Sequence, residues 1–372
     1  MRYLYPSLLA LATLLLSGLG HSFTLSMIPD PIEPAMDSGH EEITRQGLLA
    51  LGALLKQDGN EILISAPKIA GGFDPDFSNM IGNTAIEMIV RANYRTDMPR
   101  GTYPDYLQPM NEYWRFTESA DWNNPKAQDL HFLRNYLSDT SLASAYDTCH
   151  SARGRILQLS ADAVKQWLAG ETRQALAFLG TATHTIQDSF SSAHTGRKTK
   201  QDNNDIREIC FYPQSGAPDR IVASGGDSVC FHESTDARDS IWLETKDEAG
   251  VELAKAEWLE RGEKVTPLAD RLEYDLNSES QTTRAEHLKH EARLARTATT
   301  KYLYVFFRYL RAYSPGKAVD PGFAGLRAKL TQEFFEGNEG IAGLREILPR
   351  GAFRCESLSR EEPKLKPAKA TP

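Results

Sequence analysis

Residues 171–194 read ETRQALAFLGTATHTIQDSFSSAH, and this stretch decides the fold. Its apolar residues recur at helical spacing, which predicts an amphipathic helix over residues 171–190. The apolar stripe of that helix consists of Leu179, Ala182, Ile186 and Phe190. We expect this stripe to pack in the core of a helical protein.

A second face of the same helix carries polar residues that suit a metal ion. His184 and Asp188 are spaced i,i+4 and so lie on one face, and His194 follows the helix. Imidazole and carboxylate groups are suitable zinc ligands, whereas an isolated HxxxD pattern is more often a hydrogen-bonded surface pair. Small residues that leave room for a compact group such as a metal cluster share this face: Ala177, Gly180, Thr181 and Ser191.

Helical patterns dominate the rest of the chain, and we predict an all-α, multi-helix bundle. Ser38 and Glu41 form a capping box before an apolar-periodic segment. Further helices are expected over residues 160–168 (ending at Gly170), 239–261 and 283–313. Residues 99–125 and 198–229 are polar and are expected to be loops. After Pro315 a weakly helical piece is expected, then a Lys/Pro-rich tail from Glu361, expected to be disordered.

The N-terminal segment suggests an exported protein. Residues 1–22 combine Arg2, an apolar run and small residues, which is typical of a secretory signal, and no later segment is long and apolar enough to span a membrane. We therefore expect a catalytic domain over residues 23–315 and a short extension over residues 316–372.

A formal charge of -8 in 372 residues argues against broad binding to nucleic-acid phosphates.

The cysteine count also fits an oxidising compartment. Cys149, Cys210, Cys230 and Cys355 are even in number and allow three pairings. We favour Cys210–Cys230, which would close a polar loop, and Cys149–Cys355, which would tie the C-terminal region to the core. The alternative is a set of unpaired buried thiols.

Other histidines could complete a metal site. His232 and Asp236 repeat the four-residue spacing, His131 lies in a partly apolar context, and His40 falls on the first turn of the capped helix. Taken singly, His40 could be an exposed helix residue and His131 a hydrogen-bonded core histidine. Several such residues together favour a metal centre.

The quoted motif resembles that of a known family. Residues 180–194 (GTATHTIQDSFSSAH) are similar to the core motif of the bacterial zinc-dependent phospholipases C, the alpha-toxin-like family. Residues 101–106 (GTYPDY) resemble that family's segment with an early aspartate ligand. Ser38-Gly39-His40 and His131-Phe132 resemble its first histidine segment and its later His-Phe pair, the latter after a longer gap. The resemblance covers roughly residues 38–240.

The resemblance implies an all-α fold holding three zinc ions and a phospholipase C that releases diacylglycerol and a phosphorylated headgroup. The implied metal ligands are His40, Asp105, His131, His184, Asp188, His194, His232 and Asp236. Asp105 is the implied bridging carboxylate and the catalytic residue that orients or deprotonates the attacking water. The implied partner is a phospholipid at a membrane surface, with no nucleic acid, and we expect a monomer.

Several alternatives stay open. No Trp precedes His40 closely, although the family uses an N-terminal Trp as a ligand, so either the signal is cleaved later than expected or one zinc is held differently, for example with Asp37. Asp97 is a rival for the role of Asp105. His287 and Glu291 form a rival pair for 232/236, with a solvated helix face as the alternative.

Two other functions compete with phospholipid hydrolysis. A single-strand-specific zinc nuclease or nucleotidase shares the three-zinc plan, and its His-xxx-Asp pair matches His232 and Asp236. A non-enzymatic exported zinc-binding protein is the third possibility. The region after Pro315 is too short for the lipid-binding β-sandwich of the longer alpha-toxin-like proteins.

Overall fold

The computed structural model describes residues 39–57, 89–90, 92–93, 96, 128–138, 140–191, 193–197, 205–212, 221–222, 230, 245–246, 252–253, 290–312, 323–337, 348–349 and 351–365. The α-helices are α1 (Gly39–Gln57), α2 (Ala145–Leu168), α3 (Thr172–Asp188), α4 (His290–Ala312) and α5 (Ala324–Lys329), with a 3-10 helix at Gln128–His131 and a π-helix at Leu330–Phe335. The strands are β1 (Tyr136–Ser138), β2 (Ser141–Leu142), β3 (Thr195–Arg197), β4 (Ile206–Ile209), β5 (Ile221–Val222), β6 (Thr245–Lys246), β7 (Glu252–Leu253) and β8 (Lys364–Leu365). This part of the chain is mostly helical, as predicted, with short strands added.

Helix α3 lies at the centre of the described fold. It packs against α1, α2, α4 and the 3-10 helix, while α1 and α4 also pack against each other. The predicted apolar stripe of α3 is buried, since Leu179, Ala182 and Ile186 have no exposed surface. His184 and Asp188 are equally buried, so α3 is enclosed on both its apolar and its polar face.

Helix α2 starts earlier than the sequence pattern predicted. Ser144 caps it by accepting a hydrogen bond from the Asp147 amide at 3.0 Å. At the other end Gly170 has φ +82°, a left-handed conformation that suits glycine, and its amide donates to the Trp167 carbonyl at 3.0 Å. The predicted stop at Gly170 is therefore confirmed.

The C-terminal segment joins the fold instead of forming a tail from Glu361. Strand β8 lies between β2 and β5 in a four-stranded sheet of order β1-β2-β8-β5, with its neighbours antiparallel. The Leu365 amide donates to the Thr140 carbonyl at 2.8 Å. The expected disorder is thus wrong for residues 361–365, because backbone pairing compensates for an unfavourable composition.

Two other local predictions are corrected. Within the predicted helix over residues 239–261, β6 and β7 pair antiparallel, with Thr245 opposite Leu253. Gly250, a turn-forming residue, stands between them in the sequence, and cross-strand hydrogen bonds override a weak helical pattern. The predicted loop over residues 198–229 contains β4 and β5, and β4 pairs with β3 in a two-stranded sheet.

Both favoured disulfides are present. Cys149 bonds to Cys355 and Cys210 to Cys230, with Cα atoms 5.7 Å and 4.6 Å apart. Among the described helices, none is long and apolar enough to cross a membrane. The predicted signal over residues 1–22 lies outside the described part of the chain.

Candidate metal centre

The carboxylate of Asp188 lies at the meeting point of four imidazoles. Its Oδ1 is 3.1 Å from His40 Nε2, and its Oδ2 is 3.0 Å from His184 Nε2. Oδ2 also lies 3.4 Å from His131 Nδ1 and 3.8 Å from His194 Nδ1. Five of the predicted ligands therefore come together, all of them buried.

Three of these atoms have the spacing of ligands around one metal ion. His184 Nε2, His131 Nδ1 and Asp188 Oδ2 form a triangle with sides of 3.0, 3.4 and 3.3 Å. Ligand atoms at a tetrahedral zinc ion lie about 3.3 Å from one another, given bonds of about 2.0–2.1 Å. His40, His184 and Asp188 likewise offer ligand atoms that all lie within 4.8 Å of one another. This buried group could therefore hold a metal ion.

The two oxygens of Asp188 face different histidines. Oδ1 meets His40 from α1, whereas Oδ2 meets His184 and His131. A carboxylate with this division can bridge two metal ions. Asp105, to which the resemblance assigns the bridging role, lies outside the described residues.

The 3-10 helix is fixed against α3 so that His131 points at Asp188. Thr185 on α3 donates a hydrogen bond to the Leu130 carbonyl at 2.7 Å. Phe132, which follows His131, has φ +51° and is fully buried. A bulky residue is rarely found in this left-handed region, and its burial offsets the strain.

His194 is held by backbone hydrogen bonds beyond the end of α3. Its amide donates to the Ser191 carbonyl at 3.1 Å, and its Nδ1 donates to the His131 carbonyl. The amide of Cys210 donates to the His194 carbonyl at 2.8 Å, while the Arg134 amide donates to the Cys210 carbonyl at 2.9 Å. Cys210 thereby links the chain segments that carry His131 and His194.

Asp188 is held as a carboxylate by its neighbours. Burial acts to raise the pKa of Asp188. The positive charges of His184 and His194, together with hydrogen bonds from His131 and His184, lower the pKa by a larger total amount. The net result is a pKa well below the usual range of an aspartate. An ionised carboxylate among buried imidazoles is a strong candidate for a cation site.

Two amide side chains near the site were missed by sequence reasoning. Gln187 Oε1 lies 2.7 Å from His40 Nδ1, and Asn93 Oδ1 lies 3.3 Å from His184 Nδ1. Gln187 falls inside the motif, but nothing in its spacing distinguishes it. Asn93 is far away in the sequence, and only tertiary contact brings it to α3.

Gly180, one of the small residues on the face of His184, makes room for another segment of the chain. A Cβ on Gly180 would lie 2.4 Å from Ala92 Cβ and 2.5 Å from the Ile89 carbonyl oxygen. The space at Gly180 is therefore filled by the segment that carries Asn93, and not by a metal cluster. Close backbone approach requires glycine at this position.

The remaining predicted residues divide into two groups. Asp105, His232 and Asp236, as well as the alternatives Asp37, Asp97 and His287, lie outside the described residues. Glu291 is described and is exposed on the first turn of α4. The exposure of Glu291 agrees with the alternative that the 287/291 pair belongs to a solvated helix face.

No protein-family model matches this chain, and neither curated proteins nor solved structures give a match. The candidate site consequently stands on its motif and its geometry.

Proposed function

We propose that this protein is an exported zinc-dependent hydrolase of phosphodiester bonds that acts as a phospholipase C. The observation that carries the proposal is the shared carboxylate of Asp188, which lies within 3.0–3.4 Å of nitrogens from His40, His131 and His184. Purely structural zinc sites are usually closed by four ligands around one ion. Here the two carboxylate oxygens face separate histidines, which favours more than one ion.

The described residues would hold zinc through imidazole nitrogens and the Asp188 carboxylate. His131 and His184 lie beside Oδ2 of Asp188, His40 lies beside Oδ1 and His194 lies near Oδ2, so these residues would hold the metal. Bound zinc would supply positive charge for the phosphate oxygens and would lower the pKa of a water at the site. Asp105 is proposed to orient or deprotonate that water, with in-line displacement of the alkoxide.

The last ligand pair is proposed to be His232 and Asp236. Cys230 stands two residues before His232 in the sequence and is bonded to Cys210. Cys210 in turn holds the His194 carbonyl through its amide. This connection supports a third zinc near His194, which the resemblance to the phospholipases C also implies.

Lipid is proposed as the substrate in preference to nucleic acid. The motif flanks and residues 101–106 resemble the phospholipases C, and the net charge of -8 disfavours a polyanion as substrate. Export is supported by the two disulfides, which are typical of oxidising compartments.

The test is a zinc count together with a substrate panel on the purified protein. Zinc would be measured in the wild type and in His184→Ala, with His150→Ala as a matched control. His150 is an exposed histidine on α2 that contacts Tyr146. Substrates would be phosphatidylcholine, phosphatidylethanolamine, sphingomyelin and single-stranded DNA.

We expect headgroup release by the wild type and by His150→Ala, and its loss in His184→Ala and after chelation. Cleavage of DNA without lipid cleavage would establish the nuclease alternative. Bound zinc with no hydrolysis of any substrate would replace the proposal with a non-enzymatic zinc-binding protein.

A further inference from the structure

The two histidines nearest Asp188 are both hydrogen-bonded through Nδ1 to side-chain amides. His40 Nδ1 lies 2.7 Å from Gln187 Oε1, and His184 Nδ1 lies 3.3 Å from Asn93 Oδ1. All four side chains are fully buried. Each Nδ1 atom donates if the amide atom that faces it is the oxygen, and accepts if that atom is the nitrogen. The other hydrogen bonds of each amide show which end is the oxygen.

The orientation of Asn93 follows from a threonine on α3. The hydroxyl of Thr183 donates to the Gly180 carbonyl at 2.8 Å, so it can only accept from Asn93 at 3.1 Å. The end of Asn93 that faces Thr183 must then be its NH₂ group. The other end, which faces His184, is the carbonyl oxygen, and His184 Nδ1 must carry the proton.

The orientation of Gln187 follows from that of Asn93. The NH₂ group of Asn93 also lies 3.2 Å from Gln187 Oε1, which therefore has to be an acceptor. The Gln187 NH₂ group donates to Thr44 at 2.7 Å and to Thr299 at 3.2 Å. His40 Nδ1 consequently donates to Gln187, and all four hydrogen-bonding positions of this amide are satisfied.

The protonation of Nδ1 decides what the two rings present to the carboxylate of Asp188. A neutral imidazole that is protonated on Nδ1 presents a lone pair on Nε2. The Nε2 atoms of His40 and His184 lie 3.1 Å and 3.0 Å from oxygens of Asp188. With neutral rings, two lone pairs would face the carboxylate and repel it unless cations lie among them: protons on the rings in the metal-free protein, or a metal ion in a ligand set.

We propose that Asn93 and Gln187 are positioning residues that lock His40 and His184 as Nδ1–H tautomers and aim both Nε2 atoms at a shared metal site. This inference rests on the metal binding in the proposed function but not on the identity of the substrate. The amides replace the carboxylates or backbone carbonyls that commonly orient metal-bound histidines. They also join α1, α3, α4 and the segment around Asn93 in one buried network.

The test measures zinc affinity and histidine tautomers in the full-length protein. Asn93→Leu removes the acceptor for His184, and Gln187→Met removes the acceptor for His40. Gln187→Glu retains an acceptor for His40, because a carboxylate oxygen replaces Oε1. Zinc dissociation constants come from competition with a chelator, and the ring protons from long-range ¹H–¹⁵N correlation of the zinc-loaded protein.

We expect Asn93→Leu and Gln187→Met each to weaken zinc binding by about 10–100-fold, the usual effect of losing such a partner. The Nδ1–H signal of His184 should change in Asn93→Leu, and that of His40 in Gln187→Met. Gln187→Glu should recover zinc affinity and the His40 signal. A purely structural role for these amides would not produce this residue-by-residue pattern.

Tyr302→Phe is the matched control, since it removes one buried hydroxyl that lies 2.8 Å from Ser160 in the core. It should lower thermal stability slightly and leave zinc affinity and both tautomers unchanged. Unchanged affinity and ring signals in Gln187→Met and Asn93→Leu would overturn the inference, whatever the activity. Zinc bound with the expected ring signals but without phosphodiester hydrolysis would overturn the proposed function and support this inference.

Discussion

The imidazole rings of His40 and His184 stack with their centroids 4.3 Å apart and 28° between their planes. The stack brings a residue of α1 against a residue of α3 and directs the two rings toward one carboxylate. Each ring is also hydrogen-bonded to an amide. Each ring is therefore held by a neighbouring ring and by an amide, which lowers the entropic cost of ordering it around a metal ion.

Zinc should stabilise the protein through Asp188. At a free zinc concentration of 100 times Kd, a ligand that binds only the folded state raises the free energy of unfolding by about 2.7 kcal/mol. Asp188→Asn should lose most of this gain, because the amide is a much poorer ligand. The measurement is urea unfolding with zinc and with chelator. Glu291→Gln, at the exposed alternative position, should retain the full gain, and its loss there would contradict the assignment.

Gly180→Ala should destabilise the protein and weaken the contact with Asn93. The added Cβ would lie 2.8 Å from the backbone nitrogen of Asn93 and 2.5 Å from the carbonyl oxygen of Ile89, so the backbone of that segment would have to move. We expect a loss of about 1–3 kcal/mol in the free energy of unfolding, as for other overpacked sites. Zinc affinity should fall as well.

Gly154→Ala on α2 provides the comparison for that variant. A Cβ at Gly154 meets nothing within 4 Å, and the residue is exposed within the helix. Alanine should therefore stabilise the protein by about 1 kcal/mol through helix propensity. Equal effects at positions 154 and 180 in denaturant unfolding would refute the close-contact argument.

Removal of the Cys149–Cys355 disulfide should release the C-terminal segment. The bond joins residues separated by 206 positions, and loss of a native disulfide typically costs about 2–5 kcal/mol. Cys149→Ala/Cys355→Ala should expose residues 351–365 to hydrogen exchange, because the bond attaches this segment to α2. Unchanged protection of that segment would show that sheet pairing alone holds it.

Arg197 should prove important for stability through its hydrogen bonds. Its guanidinium donates to the carbonyls of Ser189 and Ala352, the latter at 2.9 Å, and lies 4.3 Å from the ring centre of Phe190. Lysine cannot make this forked set of contacts. We expect Arg197→Lys to cost about 1–3 kcal/mol in thermal or chemical unfolding. Arg207→Lys on the exposed side of β4 should change stability by less than about 0.5 kcal/mol.

Acid should destabilise the metal-free protein through Asp188. The folded-state pKa of this residue lies well below its usual value, so near pH 4 the unfolded chain takes up a proton before the folded chain does. The contribution to stability is therefore present above about pH 4 and is lost as the pH falls through the folded-state pKa. Stability curves for wild type and Asp188→Asn should run parallel above about pH 4 and converge as the pH falls below it. A constant separation of the two curves through this acid range would mean that folding does not lower the pKa of Asp188.

The sequence by itself predicted the central helix, the favoured disulfide pairs and the five residues that meet at the candidate metal centre in the described part of the chain. These features have local or chemical causes: helical periodicity, the i,i+4 spacing of His184 and Asp188, and the pairing of an even number of cysteines. His40 and His131 could be proposed as metal ligands because their segments resemble the histidine segments of the zinc-dependent phospholipases C.

Only the tertiary structure decided how that centre is supported. Asn93 reaches His184 because Gly180 lets two backbones approach closely, and no periodicity in the sequence encodes that contact. The division of the two Asp188 oxygens between His40 and His184 likewise depends on how α1 packs against α3. Strand β8 forms in a segment of unfavourable composition because its hydrogen-bond partners come from distant strands. Local patterns fix which side chains share a face, whereas long-range packing fixes which faces meet.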